Sequence, residues 1–188
     1  MKIVQTQLPG VMILEPRLHG DARGFFLETY RADTFEKAGI SLPFVQDNHS
    51  RSSRGILRGL HYQLIQPQGK LVRVTLGEVF DVAVDIRRGS PTFGQWCGAI
   101  LDDKSMRMMY LPPGFAHGFV VLSDVADFLY KCTDYYHPQS EQGILWNDPE
   151  IDIQWPLTEV QLSDKDKAHP LLSAQVEEKL PEYSGEMA

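Results

Sequence analysis

The sequence predicts an all-β domain, built as a sandwich, jelly roll or barrel. Three observations carry that prediction. Glycine and proline supply 27 of the 188 residues, a share of turn formers that suits many short strands better than long helices. Turn signals punctuate the chain at Pro9-Gly10, His19-Gly20, Gln68-Gly69, Leu76-Gly77, Gly89-Ser90-Pro91 and Pro112-Pro113-Gly114, the spacing of strands in sandwiches and barrels. Finally, Glu78–Arg87 alternates: Phe80, Val82, Val84 and Ile86 are apolar, with Asp81, Asp85 and Arg87 between them. Period two over that length is a strand with two unlike faces.

Taken in order, the expected strands are Ile3–Leu8, Val11–Leu14, Phe25–Tyr30, Val45–Ser50, Ile56–Gln63, Lys70–Thr75, the alternating segment Glu78–Arg87, Gln95–Leu101, Met106–Leu111, His117–Leu122 and Asp127–Thr133. Two helices fit. Arg31–Ala38 stops at Gly39, a residue suited to the left-handed position that ends a helix. A second opens at Ser163, with Asp166 three residues on as a capping pair. Between Asn147 and Pro156 the chain reads as an ordered loop lying against the β core. One domain over residues 1–188 follows, with a core at about 24–146 and a C-terminal loop and helix at 147–188.

Composition narrows the function classes. Apolar residues at 43% and charged residues at 23% are ordinary globular values that exclude disorder and coiled coil. Eighteen basic and 25 acidic residues give a net charge of −7, a surface unsuited to duplex nucleic acid. A small anion remains compatible, because a local basic pocket can sit inside an acidic protein. Cys97 and Cys132 are too few and too far apart for a disulfide scaffold and read as free, buried thiols. The first residues lack the apolar core of a signal peptide, and no run is long enough to span a membrane. A soluble cytoplasmic protein is the expectation.

The densest polar cluster is Arg54–Gln63, followed by Gly69-Lys70-Leu71-Val72-Arg73. Glycines at 55 and 59 in a strand-like run indicate a bulge or a close approach of a ligand to the backbone. Strict alternation sets Arg58 and His61 on opposite faces, so they share a site only if Gly59 bends the strand or both project from its end. His61 and His117 invite a metal. The residue two on from His61 is Gln63, however, and no glutamate follows until Glu78, too few ligands at workable spacing. Phe128, Tyr130 and Cys132 share a face; a tyrosine there is either core with a satisfied hydroxyl or a placed proton donor.

The runs Gly55–Gln63, Gly69–Val74, Gly77–Arg87, Tyr110–Phe119, Phe128–Lys131 and Leu162–Asp166 closely resemble the dTDP-4-dehydrorhamnose 3,5-epimerase family. The resemblance extends from about Gly24 to Leu171 in consistent order. It implies a cupin-type double-stranded β-helix jelly roll, a homodimer, and epimerisation of a thymidine-diphosphate keto sugar without metal or cofactor. Position by position, His61 matches the general base and Asp166 the carboxylate paired with it. Tyr130 matches the proton donor and Lys70 the cation beside the C4 oxygen. Arg23, Glu28, Gln46, Asp47, Asn48, Arg58, His117 and Glu141 match substrate-binding positions, and Tyr136 the aromatic that stacks on thymine. The linker Leu64–Gln68 is slightly shorter than the family pattern, which leaves Lys70 at the start of its strand. A relative inverting only C3 or only C5 of another dTDP-keto sugar keeps the same base and nucleotide site. A non-catalytic sugar-binding jelly roll would not need His61, Tyr130 and Asp166 together.

Overall fold

Short β-prone runs broken by glycine and proline fold into thirteen strands and two short helices, described for residues 1–185 in a computed structural model. In chain order these are β1 (Lys2–Gln5), β2 (Met12–Glu15), β3 (His19–Asp21), β4 (Gly24–Phe26), α1 (Ala32–Lys37), β5 (Gln46–Ser53), β6 (Leu57–Gln63), β7 (Lys70–Leu76), β8 (Glu78–Asp85), β9 (Trp96–Asp102), β10 (Met108–Leu111), β11 (Phe115–Val121), β12 (Val125–Cys132), β13 (Glu141–Gly143) and α2 (Asp164–Lys167). Two antiparallel sheets form a jelly roll. One runs β1-β2-β10-β7-β12-β5 and the other β13-β6-β11-β8-β9; β3 and β4 make a separate hairpin.

Alternation decides what lies between the sheets. The odd residues of β8 point inward, where Val79 and Ala83 join Val72, Val74, Phe119 and Phe128 in the inter-sheet core. Its even residues Val82 and Val84 face outward, yet they are equally buried, because Ile144, Ile151, Ile153, Leu172 and Leu180 of the C-terminal segment cover that sheet. The two faces of β8 are therefore unlike in chemistry and alike in burial: Asp81 and Asp85 are fully enclosed. The expected ordered loop is part of this cover. Asp148 holds it, accepting from the backbone N–H of Glu150 at 2.9 Å and of Leu172 at 2.6 Å. Cys97 and Cys132 are free and buried, as their spacing suggested.

Four expectations need correction. The main sheet takes in β1 and β2, so the jelly roll begins at Lys2 and its buried core at Leu8, not near residue 24; β2 pairs with β10 through Met12, Ile13 and Leu14. His19-Gly20 lies inside a strand, and the turn follows it. There the Asp21 carboxylate accepts from the Arg23 N–H at 2.8 Å and Gly24 takes φ +124°, so local side-chain chemistry moved the turn by two residues. The strand at Phe25–Tyr30 accordingly stops at Phe26. At the other end, Glu141–Gly143, absent from the expected strands, adds to the edge of β6.

Candidate active site

The strands that carry the polar clusters meet along one cleft between the sheets. It has two lobes, of about 330 and 500 Å³, which share His61, Lys70 and Tyr130. Ten of the thirteen expected site residues line it: those three with Gln46, Asn48, Arg58, His117, Tyr136, Glu141 and Asp166.

Arg58 and His61 share the cleft because the strand alternation slips between them. β6 pairs with β11 at His61–His117 and again at Arg58–Phe119, with a register shift between. Gly59 sits at the shift with φ +128°, and a Cβ there would lie 2.5 Å from the Cα of Gly118. What approaches Gly59 is the neighbouring strand rather than a ligand. The bulge re-aims one side chain, as bulges beside functional sites do.

His61 is paired as expected. Its Nε2 lies 2.8 Å from Asp166 Oδ1. With Asp166 ionised, Nε2 carries the proton and donates it, which leaves the Nδ1 lone pair free to accept another. Burial works to raise the Asp166 carboxyl, but bonds from His61, Ser163 and the Gly59 backbone together hold it below the ordinary range. Helix α2 places it: Ser163 caps the helix by accepting from the Asp166 N–H at 3.1 Å. The capping pair read from the sequence is thus what positions the partner of His61.

Lys70 opens β7 and faces the cleft from the opposite sheet, 6.0 Å from the Tyr130 ring centroid. Desolvation pushes its ammonium down, only partly offset by Cys132, Glu141 and Asp81. No carboxylate forms a salt bridge to it among the described residues. The short linker before it is fixed by Gln68, which donates to the Asp134 carbonyl at 2.8 Å. Tyr130 is raised chiefly by burial, so its phenol stays protonated at neutral pH. His117 donates to Asp81 Oδ2 at 2.9 Å. Burial raises Asp81, against His117 and Lys70.

Three expected residues lie elsewhere. Asp47 alternates with Gln46 and Asn48 on β5, so its side chain faces the outer surface and pairs with Lys131 at 2.9 Å. Arg23 is 90% exposed on the β3–β4 hairpin, bound to Asp21. Glu28 follows the hairpin and contacts Arg31 at 3.7 Å. Sequence reasoning missed others. Lys165 lines the larger lobe and bonds Glu141, which also accepts from the Tyr136 hydroxyl at 2.7 Å. Its signal was adjacency to Asp166 in the matching motif. Asp81 was visible as a charge in an apolar alternation. His169 packs edge-on to His61, ring centroids 5.6 Å apart; nothing in its local sequence marked it.

The model of the dTDP-4-dehydrorhamnose 3,5-epimerase family matches residues 5–174. The chain belongs to that family. Among its members, the dTDP-4-dehydrorhamnose 3,5-epimerase of Pseudomonas aeruginosa is 61% identical over 169 residues, 89% of this chain and 93% of the relative. That of Salmonella typhimurium is 57% identical over 175 residues, covering 92% and 96%. A dTDP-6-deoxy-D-glucose-3,5-epimerase from Legionella pneumophila, solved in complex with dTDP-4-keto-L-rhamnose, superposes with a TM-score of 0.96 at 58% identity. That match covers 97% of this chain and 98% of the other. The family match and the superposition together bear out the jelly-roll expectation.

Proposed function

We propose that this chain is a 3,5-epimerase that converts dTDP-4-dehydro-6-deoxy-D-glucose to dTDP-4-dehydro-L-rhamnose, in dTDP-L-rhamnose and hence polysaccharide biosynthesis. The observation that carries the reading is the placement of base and acid on opposing walls. His61 projects from one sheet and Tyr130 from the other, with Lys70 beside Tyr130 on the second sheet and lining the same cleft. A sugar ring held between the sheets meets a base on one side and a phenol on the other, which is what inversion requires.

A carbon-bound proton next to a ketone is removable only if the charge that develops on the C4 oxygen is stabilised. Lys70, desolvated and unpaired with any carboxylate, stabilises an enolate more than the neutral ketone. His61 takes the proton at Nδ1 while Asp166 stabilises the imidazolium through Nε2–H. Tyr130 returns a proton from the far side. Because the C4 ketone acidifies both C3 and C5, one set of groups serves both centres. Arg58, which donates to Ser52 Oγ at 3.1 Å, supplies a forked donor for the diphosphate. Tyr136, half exposed at the mouth, offers a face for thymine.

Arg23 and Glu28 cannot serve this cleft from where they sit. The exposed hairpin with Phe25 and Phe26, 57% and 71% accessible, supports a homodimer in which these residues reach the site of a second copy. The reading is of a single domain, cytoplasmic, needing no metal or cofactor; exhaustive chelation should leave turnover unchanged. The test is proton NMR of the dTDP-keto sugar in deuterated water with enzyme. Exchange at both C3 and C5 is expected; exchange at one centre alone makes it a mono-epimerase, and exchange at neither makes it a binding module.

A further inference from the structure

We propose that His61, Asp166 and His169 form a site for one divalent d-block cation of borderline softness, such as Zn²⁺, whose occupation switches the base off. The inhibitory half of this proposal rests on the function given above; the binding half does not.

Two imidazoles and a carboxylate converge here. His61 Nε2 is 2.8 Å and His169 Nε2 is 3.7 Å from the same oxygen, Asp166 Oδ1, and no two of the three donor atoms are more than 4.8 Å apart. Donors at about 2.1 Å from a tetrahedral zinc stand roughly 3.4 Å from one another, a separation those two distances bracket. The two imidazole nitrogens, within 4.8 Å of each other, must turn toward one another to close the set. The third observation is independent of distance: His169 Nε2 is buried and has no hydrogen-bond partner. A buried imidazole nitrogen without a partner is costly, and a cation at this point would satisfy it. The chain also makes room for that ring, since a Cβ at Gly143 would overlap it.

The donor set selects the ion. Imidazoles favour Zn²⁺, Co²⁺ or Ni²⁺ over Mg²⁺ and Ca²⁺, and three protein ligands beside a cleft leave a fourth corner for water. The spacing argument made from sequence missed the set because His169 joins through helix α2 and the turn after it, three residues from Asp166, rather than through strand alternation. Coordination at His61 Nε2 displaces its proton to Nδ1. The imidazole remains neutral, but the lone pair that would accept the substrate proton is gone. No proton is gained or lost and no other reactant is needed.

Co²⁺ titrated into the wild-type protein, followed by visible absorption, tests the site without reference to turnover. An intense four-coordinate band saturating at one equivalent and displaced by Zn²⁺ is expected. His169→Asn should weaken Co²⁺ binding by more than about 10-fold, since losing even an outer-shell partner costs that much. Zn²⁺ should then stop C3 and C5 exchange in wild type, while the exchange that the His169→Asn protein retains resists Zn²⁺. A pale six-coordinate spectrum in wild type overturns the proposal, as does undiminished Co²⁺ binding or Zn²⁺ sensitivity in His169→Asn. If metal-free wild type shows no exchange at all, the function falls, and the Co²⁺ spectra still decide the site.

Discussion

Replacing Gly59 with alanine separates two things a glycine can do, because the fold contains its own control. Gly24 and Gly59 share almost the same backbone angle, φ +124° and +128°. A Cβ at Gly24 would meet nothing within 4 Å, whereas at Gly59 it would stand 2.5 Å from Gly118 Cα and 2.7 Å from the His117 carbonyl oxygen. Gly24→Ala therefore reports the dihedral alone, a cost of about 1–3 kcal/mol. Gly59→Ala bears the same cost and must also part β6 from β11. Ordinary contact begins at 3.4 Å, so the strands must separate by about 0.9 Å, the difference from 2.5 Å. Opening two or three ladder hydrogen bonds at roughly 1 kcal/mol each adds some 2–3 kcal/mol. The Gly59 variant should lose about 3–6 kcal/mol, a large part of a typical ~5–15 kcal/mol stability. Urea unfolding of both variants measures the difference. Equal losses within about 1 kcal/mol would show that β11 does not press on Gly59. The Arg58–His61 geometry would then need another cause.

Three further predictions follow from the cleft and its surroundings. His61→Ala and Lys70→Ala should each abolish exchange at both carbons with unchanged circular dichroism; near-normal exchange in His61→Ala would mean the base is misassigned. Tyr130→Phe should wash out substrate protons faster than it forms inverted product, whose loss should reach about 10²–10⁴-fold; equal losses in exchange and inversion would reduce Tyr130 to positioning. Acid should weaken the fold through Asp127, held at about 2 chiefly by Arg51 at 2.7 and 2.6 Å. A depressed carboxyl stabilises fully above its unfolded value near 3.8 and loses that contribution as pH falls through the folded one. Urea midpoints between pH 5 and pH 2 should therefore decline less in Asp127→Asn, and parallel declines would remove Asp127 from the account.

What the sequence made legible followed periodicity and motif. The alternation of Glu78–Arg87, the stop at Gly39 and the Ser163 cap all depend on neighbours within a few residues, and each lies where expected, except that the strand ends at Asp85 rather than Arg87. The β3–β4 turn was misplaced because Asp21, not glycine alone, sets it. Asp47 was placed in the site by motif, though alternation between Gln46 and Asn48 already turned it away. The burial of Asp81 was illegible: an aspartate in an alternating strand reads as solvent-facing until the opposing sheet and His117 cover it. Lys165 reaches the cleft, and His169 the ring of His61, from a segment about a hundred residues beyond His61, a distance in sequence that no local pattern spans.

The polar groups of the cleft also sort by whether they are already satisfied. Asp166 is held by His61 and Ser163, Glu141 by Tyr136 and Lys165, and Asp81 by His117. Each carboxylate is thereby oriented, and among the described residues none forms a salt bridge to Lys70, although Glu141 and Asp81 act on it at longer range. Among the described residues, the Lys70 ammonium and the Tyr130 hydroxyl have no hydrogen-bond partner. In the proposed reaction these two groups are left for the substrate, one for the charge on the C4 oxygen and one for the returning proton. In a protein of net charge −7, that arrangement gives an anionic sugar nucleotide a local cation the surface does not advertise.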